Sequence, residues 1–316
     1  MSTPQVSVVI PHYRGKRFVG AAIESVLVQH DTDTEVIVVD DGSGDDSVAA
    51  LEALAEPRVR VVRHAHNRGI GAARNTGLQH ARADLIAFLD QDDLWLPGLA
   101  VAHRRVLDAD ASGEIGLVCS DLLVLHRSGR LSHPQLRVPA RLSELAPEEL
   151  LSFIVQDDFV RLGGCVIRRR SVDAAGPFDE TIRGGSDDFD MIARLADVCR
   201  FAYVPERLFM RRLHDENYTK AERMMDESLV VIDRIAERHP GIERALNVGR
   251  YKRLYRRGRA FQMAGQPAQA ARDYRRTLRV HPWHPRAYFG LMLCALGPAG
   301  NVVSRWWQRL AEWSSR

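Results

Sequence analysis

The chain has 316 residues, 45% of them hydrophobic and 27% charged, which suits a soluble globular protein with one large domain and a smaller one, and excludes disorder as the default. Its formal net charge of +3 hides an asymmetry: residues 221–316 hold 18 Lys/Arg against 8 Asp/Glu, and residues 1–220 hold 26 against 33. Cys119, Cys165, Cys199 and Cys294 are scattered without a CxxC pair, which argues against a structural zinc or a disulfide framework and for buried thiols. The opening MSTPQVSVVIPHYRG has no basic segment followed by a long apolar core, so neither a secretory signal nor a transit peptide is supported and the expected location is the cytoplasm.

In chain order, four β-rich runs come first: VSVVI (6–10), EVIVVD (35–40), RVRVV (58–62) and DLIAFLD (84–90). They are nearly continuous in Val, Ile and Leu, the pattern of strands covered on both faces. Between them, residues 17–28, 44–55 and 70–81 repeat apolar side chains at helical spacing. Strand, helix, strand in this order predicts a parallel sheet with right-handed crossovers. Pro97 is then expected to open a helix to about 110 as a first-turn proline, and EIGLVCSDLLVLHRSGRLS to form a strand pair turning at Ser128-Gly129. Residues 160–168 read as extended and Gly-rich, GPFDE (176–180) as a turn, and DDFDMIARLADV (187–198) as a helix with Phe189, Ile192, Leu195 and Ala196 inward. Residues 201–214 read as two short strands.

From about 221 onward the pattern is helical. Leu254, Gly258, Phe261, Ala270, Tyr274 and Pro282 fall at the offsets of one tetratricopeptide repeat over 251–284. A plain hairpin packed on the preceding domain and a peptide-binding repeat both fit that window. In 301–313, NVVSRWWQRLAEW, one helical face carries Val302, Val303, Trp306, Trp307, Leu310 and Trp313, and the other Arg305 and Arg309. That pattern suits a peripheral membrane contact or core packing; Gly290, Gly297, Pro298 and Gly300 argue against a spanning helix. The basic excess favours an anionic membrane surface, and long aromatic-free tracts make nucleic acid a poor partner.

All strands of a parallel sheet end on one edge, where open α/β sheets bind ligands. Here those ends are chemically loaded: PHYR (11–14), DDGSGDDS (40–47), HAHNRGIGAARN (64–75) and DQDD (90–93). Asp40, Asp41, Gly42 and Ser43 form a loop before a helix that offers N–H donors to phosphate and a carboxylate to a base or ribose; Ser43 or Asp45 equally suits a helix cap. Arg74 lies one turn inside the next helix, within reach of an anion. Asp90, Asp92 and Asp93 repel one another unless solvated or joined by a hard divalent cation on a diphosphate.

Together these segments resemble the family-2 glycosyltransferases of the GT-A fold, the large inverting class. The resemblance runs through VSVVIPHYRG, ESVLVQ, EVIVVDDGSGDDS, NRGIGAARNTGL and LDQDDLWLP, then RRRSVDAAGPFDE, SDDFDMIARL and RRLHDEN, and covers about residues 5–217. It implies an α/β domain over 1–219, with a mainly parallel, Rossmann-like nucleotide-binding half (1–97) and an acceptor half (98–219), followed by a helical region over 220–316. By resemblance, Pro11, Tyr13 and Asp41 line the base and ribose, and Arg74 lies near the diphosphate. Asp90-x-Asp92 is the Mg2+ or Mn2+ motif, with Asp92 or Asp93 the direct ligand. Asp188 is the base on the acceptor hydroxyl, beside Asp187 where a Glu is commoner, and His214 belongs to an Arg-x-His element near the metal. Gly163 and Gly164 shape the acceptor loop.

The implied reaction is transfer of a sugar from a nucleotide donor, UDP-linked, to a hydroxyl of a glycan or lipid-linked saccharide at the cytoplasmic membrane face, in cell-surface polysaccharide synthesis. The alternatives are an interaction protein with a vestigial nucleotide-sugar site and a partner-binding helical tail, and a nucleotidyltransferase.

Overall fold

The computed structural model describes residues 3–30, 32–53, 56–157, 159–214 and 221–297; the amphipathic 301–313 segment lies outside them. The chain forms two compact units. The first comprises Met1–Ile154, Asp158–Arg183 and Asp187–Tyr218, the second Val155–Asp157, Gly184–Ser186 and Thr219–Arg316.

In the first unit, β1 (Val6–His12), α1 (Lys16–Leu27), β2 (Thr34–Asp40), α2 (Ser47–Glu52), β3 (Val59–Arg63), α3 (Ile70–His80) and β4 (Leu85–Phe88) alternate as the pattern predicts. β1 pairs in parallel with both β2 and β4, bringing Val8 opposite Val36 on one side and Ala87 on the other. Every residue of β1 and β2 is buried, which explains their unbroken apolar runs. β3 lies at the sheet edge and is only half-buried, which lets it carry Arg60 and Arg63. Gly77 lets α3 press onto β1, since a Cβ there would collide with the side chain of Val9.

The later part is less regular. β5 (Leu94–Trp95), α4 (Leu99–Ala109), β6 (Ile115–Leu125), β7 (Leu131–Ser132), α5 (Pro147–Gln156), β8 (Cys165–Arg168), α6 (Arg169–Ala175), α7 (Asp187–Val198) and β9 (Arg200–Arg212) follow in order. Among the described residues the sheet is nine-stranded, in the order β3-β2-β1-β4-β8-β6-β9-β5 with β7 on β6. β8 runs antiparallel between β4 and β6 while β6 and β9 are parallel, so the whole is a mixed sheet rather than the mainly parallel one expected. Pro97 does not open α4: Gly98, at φ 94°, turns the chain and α4 begins after it. The expected pair of strands over 201–214 is one 13-residue strand, β9, whose register against β6 slips around Asp121 and absorbs the interruption at Pro205. Residues 162–164 form a tight 3-10 turn ahead of β8 rather than extended chain. The Ser128-Gly129 turn and the helix over 187–198, with Phe189, Ile192, Leu195 and Ala196 buried, are as expected. Among the thiols, Cys119 and Cys165 are buried, and Cys199 and Cys294 half-buried.

In the second unit, α8 (Ala221–Arg238), α9 (Glu243–Met263), α10 (Pro267–Val280) and α11 (Pro285–Ala295) are helical throughout. Ala270, Tyr274 and Ala287 centre its core. Tyr274 fits because Gly258 and Gly290 face its ring, and its hydroxyl donates to Gln262 Oε1 at 2.6 Å. Arg257 meets Asp273 through two parallel bonds of 2.6 Å, Nε to Oδ2 and Nη2 to Oδ1, the fork geometry that makes a buried pair tolerable. Among the described residues no helix is long and apolar enough to cross a membrane.

Candidate functional site

The ends of β1 and β2 are tied together by short polar contacts. Tyr13 donates its N–H to Gln91 Oε1 at 3.0 Å, and Gln91 Nε2 donates back to Tyr13 O at 3.2 Å. This exchange fixes the loop after β1 against the 90–93 turn and leaves the Tyr13 ring half-exposed, with the Arg14 guanidinium 5.1 Å from its centre. Pro11 is buried within β1 opposite Val39. Ser43 does not cap α2: its hydroxyl contacts Asp40 Oδ1 and accepts the N–H of Arg14 at 2.9 Å. Asp45 Oδ1 takes the Ser47 N–H at 3.0 Å, at the start of α2.

Asp41 is buried, and its carboxylate is well used. Oδ1 accepts the Arg68 N–H at 2.8 Å and lies 2.7 Å from His64 Nδ1, while Oδ2 accepts the Gly69 N–H at 2.8 Å. These bonds bend the 64–69 loop around the end of β2 and set the first turn of α3. The approach demands glycine at 42, where φ is +72° and a Cβ would sit 2.7 Å from the carbonyl carbon of His66.

One turn into α3, Arg74 is buried, and its side chain joins two distant parts of the chain. Nη2 donates to Asp90 Oδ1 at 2.7 Å, and Nη1 pairs with Asp187. The guanidinium carbon lies 5.4 Å from the centre of the Phe178 ring, which meets Phe88 edge-on. Burial works against the charge on Arg74, but Asp187, Asp90 and Asp188 overrule it and hold its pKa above the usual arginine range. Asn75 anchors the turn over 176–180 by bonding both the N–H and the carbonyl of Phe178, at 2.8 and 3.0 Å.

Asp90, Asp92 and Asp93 offer one carboxylate oxygen each within 4.8 Å of one another. They differ in surroundings. Asp93 turns inward, where it accepts the Arg212 N–H at 2.9 Å; burial, then Asp92 and Asp90, push its carboxyl well above the ordinary range. Asp92 is raised by burial and by Asp90, and it lies 2.8 Å from His214 Nε2. The His214 ring is stacked on Phe18 with centroids 4.1 Å apart. Hard oxygen donors at this spacing suit Mg2+ or Mn2+, whose charge would relieve the repulsion among the three acids.

Asp187 and Asp188 open α7. Asp187 faces Arg74, and Asp188 is half-buried with its Oδ1 accepting the Phe189 N–H at 2.7 Å. The Cys165 thiol is pushed up by burial and by its neighbours Cys119 and Asp188. Gly163 and Gly164 allow a close approach to Phe209: a Cβ on either would come 2.8 or 3.0 Å from it. The Gly163 carbonyl also accepts from Trp95 Nε1 at 2.8 Å, which ties this turn to the strand after the acidic loop. The structure thus joins Arg74, Asp90, Asp187 and Asp188 around one guanidinium, and Asp92 with His214. Gln91 links Tyr13 to the acidic loop, while Gly163 and Gly164 belong to the Phe209 packing.

Sequence reasoning passed over Gln91, His64 and Phe178. Gln91 reaches a residue 78 positions earlier, so no local pattern marks it. His64 carries a weak signal, because it ends β3 on the loaded edge.

Comparison with known proteins gives the same picture. The Glycosyl transferase family 2 profile matches residues 7–175. A succinoglycan biosynthesis protein, ExoO, of Rhizobium meliloti (strain 1021) is 31% identical over 272 residues, which is 83% of this chain and 75% of that protein. Among solved structures, S. aureus TarS 1-349 in complex with UDP-GlcNAc aligns with a TM-score of 0.61 and 16% identity, covering 95% of this chain and 89% of that one. The mannosyltransferase PcManGT from Pyrobaculum calidifontis, in complex with GDP-Man and Mn2+, aligns with a TM-score of 0.60 and 18% identity over 97% and 88%. These two share the GT-A-like fold, and the chain described here belongs to glycosyltransferase family 2.

Proposed function

We propose that this glycosyltransferase moves a sugar, with inversion, from a UDP-linked donor to a hydroxyl of a lipid-linked saccharide in the synthesis of a surface polysaccharide. The observation that carries the reading is Arg74, whose guanidinium binds Asp90 of the acidic loop and Asp187 at the start of α7, so the leaving-group side and the base side share one anchor. Tyr13, beside Pro11, offers a half-exposed ring for the base, and Asp41 at the end of β2 holds the 64–69 loop that would border the ribose. Asp90 and Asp92 would hold Mg2+ or Mn2+, with Asp93 buttressing the loop from inside and His214 orienting Asp92. When bound, the cation supplies charge that neutralises the departing nucleoside diphosphate.

Asp188 takes the proton of the acceptor hydroxyl as its oxygen bonds to the anomeric carbon. The bond from that carbon to the diphosphate breaks on the opposite face, which inverts the centre and releases the nucleoside diphosphate. Asp187 cannot share the task while it compensates Arg74. The polysaccharide assignment is supported by the name of the succinoglycan relative, the donor class by the UDP-GlcNAc complex of TarS and the metal by the Mn2+ in PcManGT.

The test is a panel of nucleotide sugars with Mn2+, read as nucleoside diphosphate release with and without lipid-linked acceptors. Asp188→Asn is expected to lower transfer by about 10²–10⁴-fold, the usual worth of a general base, while leaving donor affinity within a few-fold. Transfer at the wild-type rate in that variant would remove Asp188 from the role, and release of pyrophosphate would reassign the chain as a nucleotidyltransferase.

A further inference from the structure

The second unit carries a charge pattern for which the transfer reaction has no use. α10 turns Arg272, Arg275, Arg276 and Arg279 to solvent, three and four residues apart, and the four line one groove of about 400 Å3. The inner face of the same helix is filled by Ala270, Asp273, Tyr274 and Thr277. Four acids of this unit are engaged elsewhere: Asp273 and Asp226 on Arg257, Asp233 on Arg250, Asp157 on Lys252. Among the described residues, none of the four groove arginines has an ion-pair or hydrogen-bond partner. Like charges at these offsets destabilise a helix, so a stripe of four calls for an anion to cover it.

The chemistry of the neighbouring chain says which kind of anion. Just past Arg279, in the turn to α11, Trp283 is 87% exposed, and α11 itself exposes Tyr288 and Met292, with Leu296 exposed just beyond its end. A stripe of exposed arginines whose heads can meet phosphate, followed in the chain by an exposed tryptophan, matches the usual composition of a bilayer interface. A soluble polyanion would engage the arginines and leave Trp283 in water without a reason.

We propose that α10 and Trp283 dock on an anionic phospholipid surface, with headgroup phosphates along the arginine groove. The proposal rests on the reading that the acceptor is membrane-borne, yet its test does not depend on transfer. The full chain is sedimented with vesicles of phosphatidylglycerol and phosphatidylcholine, and with phosphatidylcholine alone. Wild type is expected to bind only the anionic vesicles and to be released by salt.

Replacing all four residues (R272Q, R275Q, R276Q, R279Q) keeps good helix formers and should lower the partition coefficient about fivefold per arginine, several hundredfold together. The matching Arg→Lys set should stay within a few-fold of wild type, and Trp283→Ala should weaken binding in either background. Equal binding of the glutamine set and wild type, or equal binding to both vesicles, overturns the proposal. Binding of a soluble acidic polysaccharide without vesicle binding does so too, and assigns the groove to a glycan. Donor hydrolysis is followed in parallel and should not change in the groove variants; its absence from wild type would remove the transferase reading and leave the vesicle result standing.

Discussion

Arg74 sits in a closed environment, with side-chain exposure of 4%, and its partner Asp187 has 2%. A pair this buried is costly to form and costlier to break, because removing one partner leaves a charge without water or counter-ion. Arg74→Met should therefore lower unfolding free energy by about 3–5 kcal/mol, read from urea titration. Arg74→Lys should recover only part, since an ammonium lacks the fork that reaches Asp90 and Asp187 together. The acidic loop divides its labour in a way that variants can resolve. Asp92→Asn is expected to abolish Mn2+-dependent donor binding in calorimetry with little change in stability, since the amide oxygen can still meet His214. Asp93→Ala should instead cost about 1–3 kcal/mol by leaving the Arg212 N–H unpaired. The reverse pattern, stability lost at 92 and metal response lost at 93, would exchange their roles.

At the scale of an element, α4 shows how a single inward position couples a helix to pH. Leu99, Ala100, His103 and Leu107 form its buried face, and neither ring nitrogen of His103 has a hydrogen-bond partner among the described residues. Burial alone drives its pKa from 6.5 to about 3. The folded state thus keeps the neutral ring. Above pH 6.5 both states are neutral and nothing is lost; below it the unfolded chain gains a proton that the fold refuses, so stability falls as pH falls. Between pH 6.5 and 4 the loss is about 3 kcal/mol. His103→Leu should remove that part of the slope in urea midpoints across pH 4–7, and an unchanged slope would show that the ring finds a partner or water.

The same element marks where sequence patterns stop being enough. β1 and β2 were legible because burial on both faces writes itself into unbroken runs of Val and Ile, and α7 because its buried face repeats apolar residues at helical spacing. α4 was displaced by two residues because Gly98 in a left-handed turn, not Pro97, sets its start. β9 was split because its break at Pro205 is bridged by pairing to β6, a partner some 80 residues earlier. The site followed the same division. Strand-end residues such as Asp41 and Asp92 stood out locally, whereas the Arg74–Asp187 pair spans 113 positions and only tertiary packing creates it.

At the scale of the whole molecule, the chain carries two separate centres of stability. The first unit is built around the apolar cluster of Val8, Ile10, Val36, Val38 and Ala87, the second around Ala270, Tyr274 and Ala287. All residues placed in the transfer site belong to the first unit, while the Arg257–Asp273 pair belongs to the second. A ligand that binds only the folded state stabilises by RT ln(1 + [L]/Kd), about 2.7 kcal/mol at 100 times Kd. For a unit of roughly 200 residues that is an upward shift of about 5–10 °C. Scanning calorimetry with a UDP-sugar and Mn2+ should therefore raise one transition and leave the other in place, and EDTA should cancel the shift. Arg257→Met should do the converse, lowering only the second transition, because Asp273 is left buried without its fork. Should nucleotide and metal move both transitions by the same amount, the two cores unfold as one, and stabilisation at the transfer site would be felt along the entire chain.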